Sequence, residues 1–233
     1  MSTELRKAAT ARLMTFWAGL SLLGLAFQIG GCVLLPSLID VESLDPPAGP
    51  IDRVAVMPFR PQSGLARTTS RSGMPAWEAA DLVTRFVSEA IAERGVAVAS
   101  SRQVEAVLVE AGRVPLEVDP AAVAPVVARA LGAGALLVGE VARYRERVGG
   151  DRGAVASASV AFDLTLHEAP SGRKLWTARF DQTQSDFAGN PLTASRYPGG
   201  GTRFLSAAEL ARWGAELAAN AMPLVGITGD PDR

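Results

Sequence analysis

Arg53-Val-Ala-Val-Met-Pro-Phe59 is a short, β-branched apolar run stopped by Pro58, and Ala135-Leu-Leu-Val-Gly-Glu-Val141 is a second run of the same kind. Apolar residues on successive positions, rather than alternate ones, mark strands covered on both faces, as in a parallel sheet with helices against it. The residues between them fit that reading. Trp77 to Arg94 places Ala80, Leu82, Val83, Phe86, Val87, Ala90 and Ile91 at three- and four-residue steps, the pattern of an amphipathic helix, and Gly95 ends it. Val96-Ala-Val-Ala99 is the next strand. Ser100 or Ser101 caps a helix that runs to about Gly112, and Asp119-Pro120 opens another that runs to Leu131 before Gly132. Strand, helix, strand, helices, strand is the order of a βαβ core.

Downstream the pattern changes from continuous to alternating. Tyr144 to Asp151 is charged and ends in Gly149-Gly150, the expected tip of a hairpin. In Val155 to Leu166, the apolar Val160, Phe162, Leu164 and Leu166 alternate with Ser159, Asp163 and Thr165, so one face of this strand is wetter. Ala169-Pro-Ser-Gly172 is a turn, and Lys174-Leu-Trp-Thr-Ala-Arg-Phe180 pairs back antiparallel. Asp186 to Phe204 is a Gly-rich loop, and a last helix runs from an N-cap at Ser206 to Met222. The expected fold class is α/β (α+β): a mixed sheet with a βαβ N-terminal part, an antiparallel C-terminal part and helices packed on it. No repeat or linker divides 53–224, which reads as one domain, with 225–233 a frayed tail.

Upstream, the chain reads as an address. Met1 to Arg12 carries Arg6, Lys7 and Arg12 against Glu4, and Leu13 to Gly31 carries no charge. That is the n-region and h-region of a signal peptide over 1–31. It closes on Ile29-Gly30-Gly31-Cys32, whose thiol is the only one among 233 residues. This tetrad resembles a bacterial lipobox. The resemblance implies peptidase recognition at Ile29, Gly30 and Gly31, cleavage before Cys32, and a diacylglycerol and an N-acyl chain on Cys32. Two or three acyl chains hold a protein on a bilayer where one does not. Val33 stands where enteric lipoproteins retained at the inner membrane carry an acidic residue, so the same resemblance implies the periplasmic face of the outer membrane. Residues 32–52, with Pro36, Pro46, Pro47 and Pro50, read as a lipidated, Pro-rich tether.

Composition limits the chemistry. The chain has 23 Lys and Arg against 24 Asp and Glu, a net charge of −1, and lacks the basic footprint of a nucleic-acid binder. From Cys32 onward the net charge is −3, which disfavours adhesion to anionic lipid by charge alone. One Cys and one His rule out an intramolecular disulfide and a zinc ligand set drawn from those two residue types, and no cofactor is expected beyond the lipid. Gly132, Gly134 and Gly139 lie between a helix and a strand rather than after a strand, so they read as a C-cap and close packing, not a dinucleotide loop. His167 reads as a surface or hairpin residue, and Asp181 with Asp186 as solvated loop carboxylates.

Arg53–Phe59, the Ala130-Leu-Gly-Ala-Gly-Ala-Leu-Leu-Val-Gly-Glu140 stretch and the Ser171-Gly-Arg-Lys-Leu-Trp176 hairpin strand occur in an order that resembles a superfamily of envelope proteins. It includes the curli-secretion channel lipoprotein CsgG, the penicillin-binding-protein activator LpoB and the N-terminal domain of TolB. The resemblance implies a non-enzymatic docking or assembly module with an envelope protein as partner, possible self-assembly, and LpoB-like activation as the preferred role. A secretion oligomer is the alternative, and an envelope hydrolase comes third. A barrel needs apolar alternating hairpins of about 9–11 residues, and the loops 60–76 and 186–204 are too polar for that. Arg60, Arg67 and Arg71 in one loop, with Arg196, Tyr197 and Arg203 in the other, are the expected partner-binding residues, because exposed Arg and Tyr dominate hot spots.

Overall fold

The computed structural model describes residues 37–69, 74–115, 117–185 and 194–224. In chain order the elements are β1 (Asp40–Ser43), β2 (Arg53–Val56), β3 (Arg60–Pro61), α1 (Leu65–Thr69), α2 (Ala76–Glu93), β4 (Ala97–Ala99), α3 (Ser101–Glu110), α4 (Pro120–Leu131), β5 (Ala135–Arg145), β6 (Val148–Gly149), β7 (Ala154–Ala156), β8 (Ser159–Glu168), β9 (Lys174–Thr183) and α5 (Ala207–Ala221). Seven strands form one mixed sheet in the order β1-β9-β8-β5-β2-β4, with β3 beside β5, and β6 and β7 form a small separate hairpin. β2 lies parallel to both β4 and β5, while β5, β8, β9 and β1 run antiparallel each to the next. The βαβ half and the antiparallel half are thus the two ends of one sheet.

The local signals act as written. The carboxylate of Asp119 accepts from the Ala121 N–H at 3.1 Å, and Pro120, with no N–H to satisfy, takes the first helical position. Gly132 closes α4 in the left-handed conformation at φ 60°. At Gly139 a Cβ would stand 2.7 Å from the Phe59 ring, so the missing side chain is the space Phe59 occupies. Gly132 is thus the expected C-cap and Gly139 the expected point of close packing.

One sheet face is buried under α2 and α5. Val54, Val56, Leu137, Val141, Phe162, Leu164, Trp176 and Phe180 meet Val83, Val87, Ile91, Leu210 and Ala215 there. Phe162 and Phe180 stack at 5.1 Å, and Trp213 of α5 meets Phe180 edge-on at 6.1 Å. On the opposite face α3 and α4 cover only the βαβ end, where Ala55, Met57 and Leu136 pack on Val104, Leu108, Val123 and Val127.

Two expectations change. The stretch 40–43 falls inside the expected tether yet is strand β1, paired antiparallel with β9 from Asp40↔Arg179 to Ser43↔Trp176. Its partner is more than a hundred residues away, so no local pattern announces it. The polar loop 60–76 includes β3 and α1, and α1 sinks Leu65 completely into the core. Of the two readings of His167, surface or hairpin, the hairpin holds: the residue is 3% exposed, and Nδ1 lies 2.9 Å from the Gly172 carbonyl, across the hairpin it helps to close.

Candidate functional site

Where α3 and α4 stop, no described helix covers the second sheet face over the middle of β8, over β9 or over β1. Side chains on a strand alternate, so the inward residues Phe162, Leu164, Trp176 and Ala178 oblige Asp163, Thr165, Thr177 and Arg179 to face out. Pairing register assembles them into rows. Arg60, Glu140, Asp163, Arg179 and Asp40 stand abreast on five adjacent strands, and beside them run Val138, Thr165, Thr177 and Glu42. The first row carries alternating and repeated charge across the full width of the antiparallel end.

Hydrogen bonds hold this row in place. Arg60 donates from Nη2 to the Val118 carbonyl at 2.8 Å, tying β3 to the entry of α4. Glu140 and Asp163, directly opposite one another, would repel. The Gln62 amide stands between them, donating to Glu140 Oε2 at 3.1 Å and reaching Asp163 Oδ2 at 3.4 Å. Arg179 meets Asp163 at 3.8 Å and Asp181 at 3.3 Å, and Arg143 also donates to Asp181. A register shift after Val141 turns Arg143 onto this face, where its Nε donates to Ser159 Oγ at 2.6 Å. Partial burial acts to raise the Asp181 carboxyl, but the two guanidinium groups outweigh it and hold the group below its ordinary range. Between α4 and the rows lies a cavity of about 160 Å³, lined by Met57, Arg60, Pro120, Val138, Glu140 and Asp163 among others.

The second expected loop has a different character. Tyr197 is not exposed: it is 2% accessible, lies 5.1 Å from the Trp213 ring and donates from its hydroxyl to the Thr183 carbonyl at 3.2 Å. Arg203 grips Glu209 through two hydrogen bonds of 3.0 and 2.7 Å, and Glu209 in turn completes a capping box with Ser206 at the start of α5. Bonding to Arg203 pushes the Glu209 carboxyl down to about 2. Burial, packing and pairing thus commit Tyr197 and Arg203 to the fold. The sequence reading missed Gln184, whose buried amide donates to the Arg203 carbonyl at 2.8 Å and accepts from the Leu205 N–H at 2.6 Å. It acts as one more rung beyond β9, a role that the residue type alone does not signal.

The two loops place their residues differently. Arg60 stands on the bare face level with Glu140, Arg67 is exposed on α1, Arg196 is half-buried, and Arg203 lies beyond the end of β9. Arg71, Cys32, Ile29, Gly30, Gly31 and Asp186 lie outside the described residues. Among the described residues no three His, Cys, Asp or Glu side chains converge as a metal site would require, and no helix is long and apolar enough to cross a membrane.

No family model matches the chain, and neither does any curated protein. Solved structures with a similar outline include a PelC dodecamer from Paraburkholderia phytofirmans, with 15% identity, a TM-score of 0.48, and 80% of this chain and 99% of that chain covered. They also include lipoprotein GNA1162 from Neisseria meningitidis, with 17% identity, a TM-score of 0.38, and 57% and 81% covered. The C-terminal domain of LpoB from Salmonella enterica is similar with 17% identity, a TM-score of 0.38, and 60% and 88% covered.

Proposed function

We propose that this chain is a periplasmic lipoprotein, anchored to the outer membrane through acylated Cys32, whose α/β domain docks on another envelope protein without catalysing a reaction. The single observation that carries the reading is the position of the only thiol. Cys32 follows Ile29-Gly30-Gly31 at the end of an uncharged segment that three basic residues precede. Acylation fixes location and concentrates the domain near membrane-bound partners, which substitutes for intrinsic affinity.

The polar constellations support a binding role rather than a chemical one. Arg203–Glu209 serves a helix cap, His167 closes a hairpin, and Asp163, Arg179, Asp181 and Arg143 neutralise one another along an open sheet face. The resemblance to envelope assembly proteins supplies the class of role, activation of a cell-wall synthase being the preferred form and membership of a secretion oligomer the alternative.

Radiolabelled palmitate and globomycin test the anchor. The expected result is a labelled band whose precursor accumulates with globomycin, and a Cys32→Ala variant that is unlabelled and released from membranes. A Cys32→Ala protein that is processed and membrane-bound as before contradicts the reading.

A further inference from the structure

β1 is an outer strand, and among the described residues nothing pairs with its free side. The Leu44 N–H donates to the Leu175 carbonyl at 2.9 Å, which sets the phase of the ladder. Pairs 44/175, 42/177 and 40/179 exchange the inward hydrogen bonds, so the N–H and C=O groups of Val41 and Ser43 point outward. Asp40 and Glu42 lie on the bare face, and neither has an ion-pair partner among the described residues. The nearest cation across the ladder, Arg179, is engaged by Asp163 and Asp181. Val41 on the other face is 43% exposed. Beyond the strand, Leu44, Pro46, Pro47, Leu175 and Pro223 line a hollow of about 360 Å³.

We propose that the free edge of β1 accepts an extended segment of a partner protein, with basic residues at alternate positions and an apolar residue at the end that reaches Leu44. This deepens the docking reading and rests on it. Strand addition satisfies the outward groups of Val41 and Ser43, and side-chain alternation then places every second partner residue beside Asp40 and Glu42. A second copy fits poorly, because antiparallel self-pairing brings Asp40 and Glu42 of two chains onto one face. Pro223 lines the hollow, but the residues that follow Leu224 carry Asp230 and Asp232 against Arg233, the wrong sign for this edge. Only eight residue steps separate Cys32 from Asp40, about 28 Å at full extension, so an acylated Cys32 keeps the edge close to the bilayer and selects a partner held there.

The test uses the acylated protein in mild detergent and a fluorescent peptide, Leu-Lys-Val-Lys-Val-Lys, whose antiparallel pairing sets the Val residues opposite Val41 and Ser43 and the leucine towards Leu44, followed by anisotropy. Binding is expected, falling about tenfold or more for Asp40→Lys/Glu42→Lys. It is expected to be absent for the peptide with Glu in place of Lys, and for the peptide N-methylated at its Val residues, which block the rungs opposite Val41 and Ser43. Equal binding of the N-methylated peptide overturns the proposal in favour of unspecific charge attraction. Binding that appears only in a chain ending at Leu224 overturns it in favour of the tail. Concentration-dependent dimerisation that blocks the peptide overturns it in favour of a second copy. A photo-crosslinker in place of Val41 or of Arg67 in cells separates the two levels. A Val41 product lost with Glu42→Lys supports the edge. Products from Arg67 alone leave docking standing and remove the edge, and products from neither position remove both.

Discussion

The two ends of one sheet face are built differently. Over β2 and the start of β5, Ala55, Met57 and Leu136 lie under α3 and α4; over the middle of β8 and over β9 the corresponding positions are Asp163, Thr165, Thr177 and Arg179, under no described helix. Side chains alternate in the same way at both ends, and what differs, besides strand direction, is the side chain offered on alternate positions and the length of helix available to cover it. The covered end contributes to stability through burial, whereas the bare end contributes little and presents backbone edge and charge to whatever approaches. A domain that had only to stay folded would gain from covering both.

The sharpest way to break this comparison is one truncation at each end. Leu136→Ala, which empties a fully buried site under α3 and α4, is expected to cost about 3 kcal/mol in urea unfolding. Thr177→Ala on the bare end stays within about 0.5 kcal/mol. Equal costs would mean that the bare end is also a packed layer.

Next in size is the clamp that holds the last helix on the opposite face. Arg94 donates to the carbonyls of Ala219 and Met222, the latter at 3.1 Å, at the C-terminus of α5. Arg94→Ala is expected to cost about 1–2 kcal/mol and to raise amide exchange in the last turn of α5 before the rest of the chain.

A smaller effect, with a direction in pH, comes from Glu209. Its carboxyl sits at about 2 in the folded chain against an ordinary 4.5, so the folded state holds the charged form more tightly than the unfolded state does. That stability is complete above the unfolded value and is lost as pH falls from about 4.5 towards 2. The pair is well exposed, so solvent screening keeps its contribution small. Glu209→Gln should lower the urea midpoint at pH 7 and match the parent at pH 2; a difference that persists at pH 2 would show that packing, not charge, is responsible.

The same contrast explains how much could be read from the amino acids. Elements made by nearby residues were legible: the periodicity of α2, the Asp119-Pro120 start of α4, the Ser206 cap of α5 and the Ala169–Gly172 turn all form where their local chemistry places them. Strand β1 was not, because Asp-Val-Glu-Ser becomes a strand only through β9, and its proline-rich surroundings look like a tether. Tyr197 was misplaced for a related reason. A Gly-rich loop with Arg and Tyr reads as exposed until Trp213, supplied by a later helix, buries the tyrosine, while Arg203 stays exposed and pairs with Glu209. Of the expected contact residues, Arg60 does reach the bare face, though as a strut to Val118. The rows from Glu140 to Asp40 depend on register, which composition does not contain.

The most direct test of a lipid-held docking domain is the mass of the N-terminal peptide of the native protein extracted from membranes. The account predicts a chain that begins at Cys32 and carries a thioether-linked diacylglycerol and an N-acyl group. A peptide that retains Met1 to Gly31, or begins elsewhere with Cys32 as a bare thiol, would contradict it.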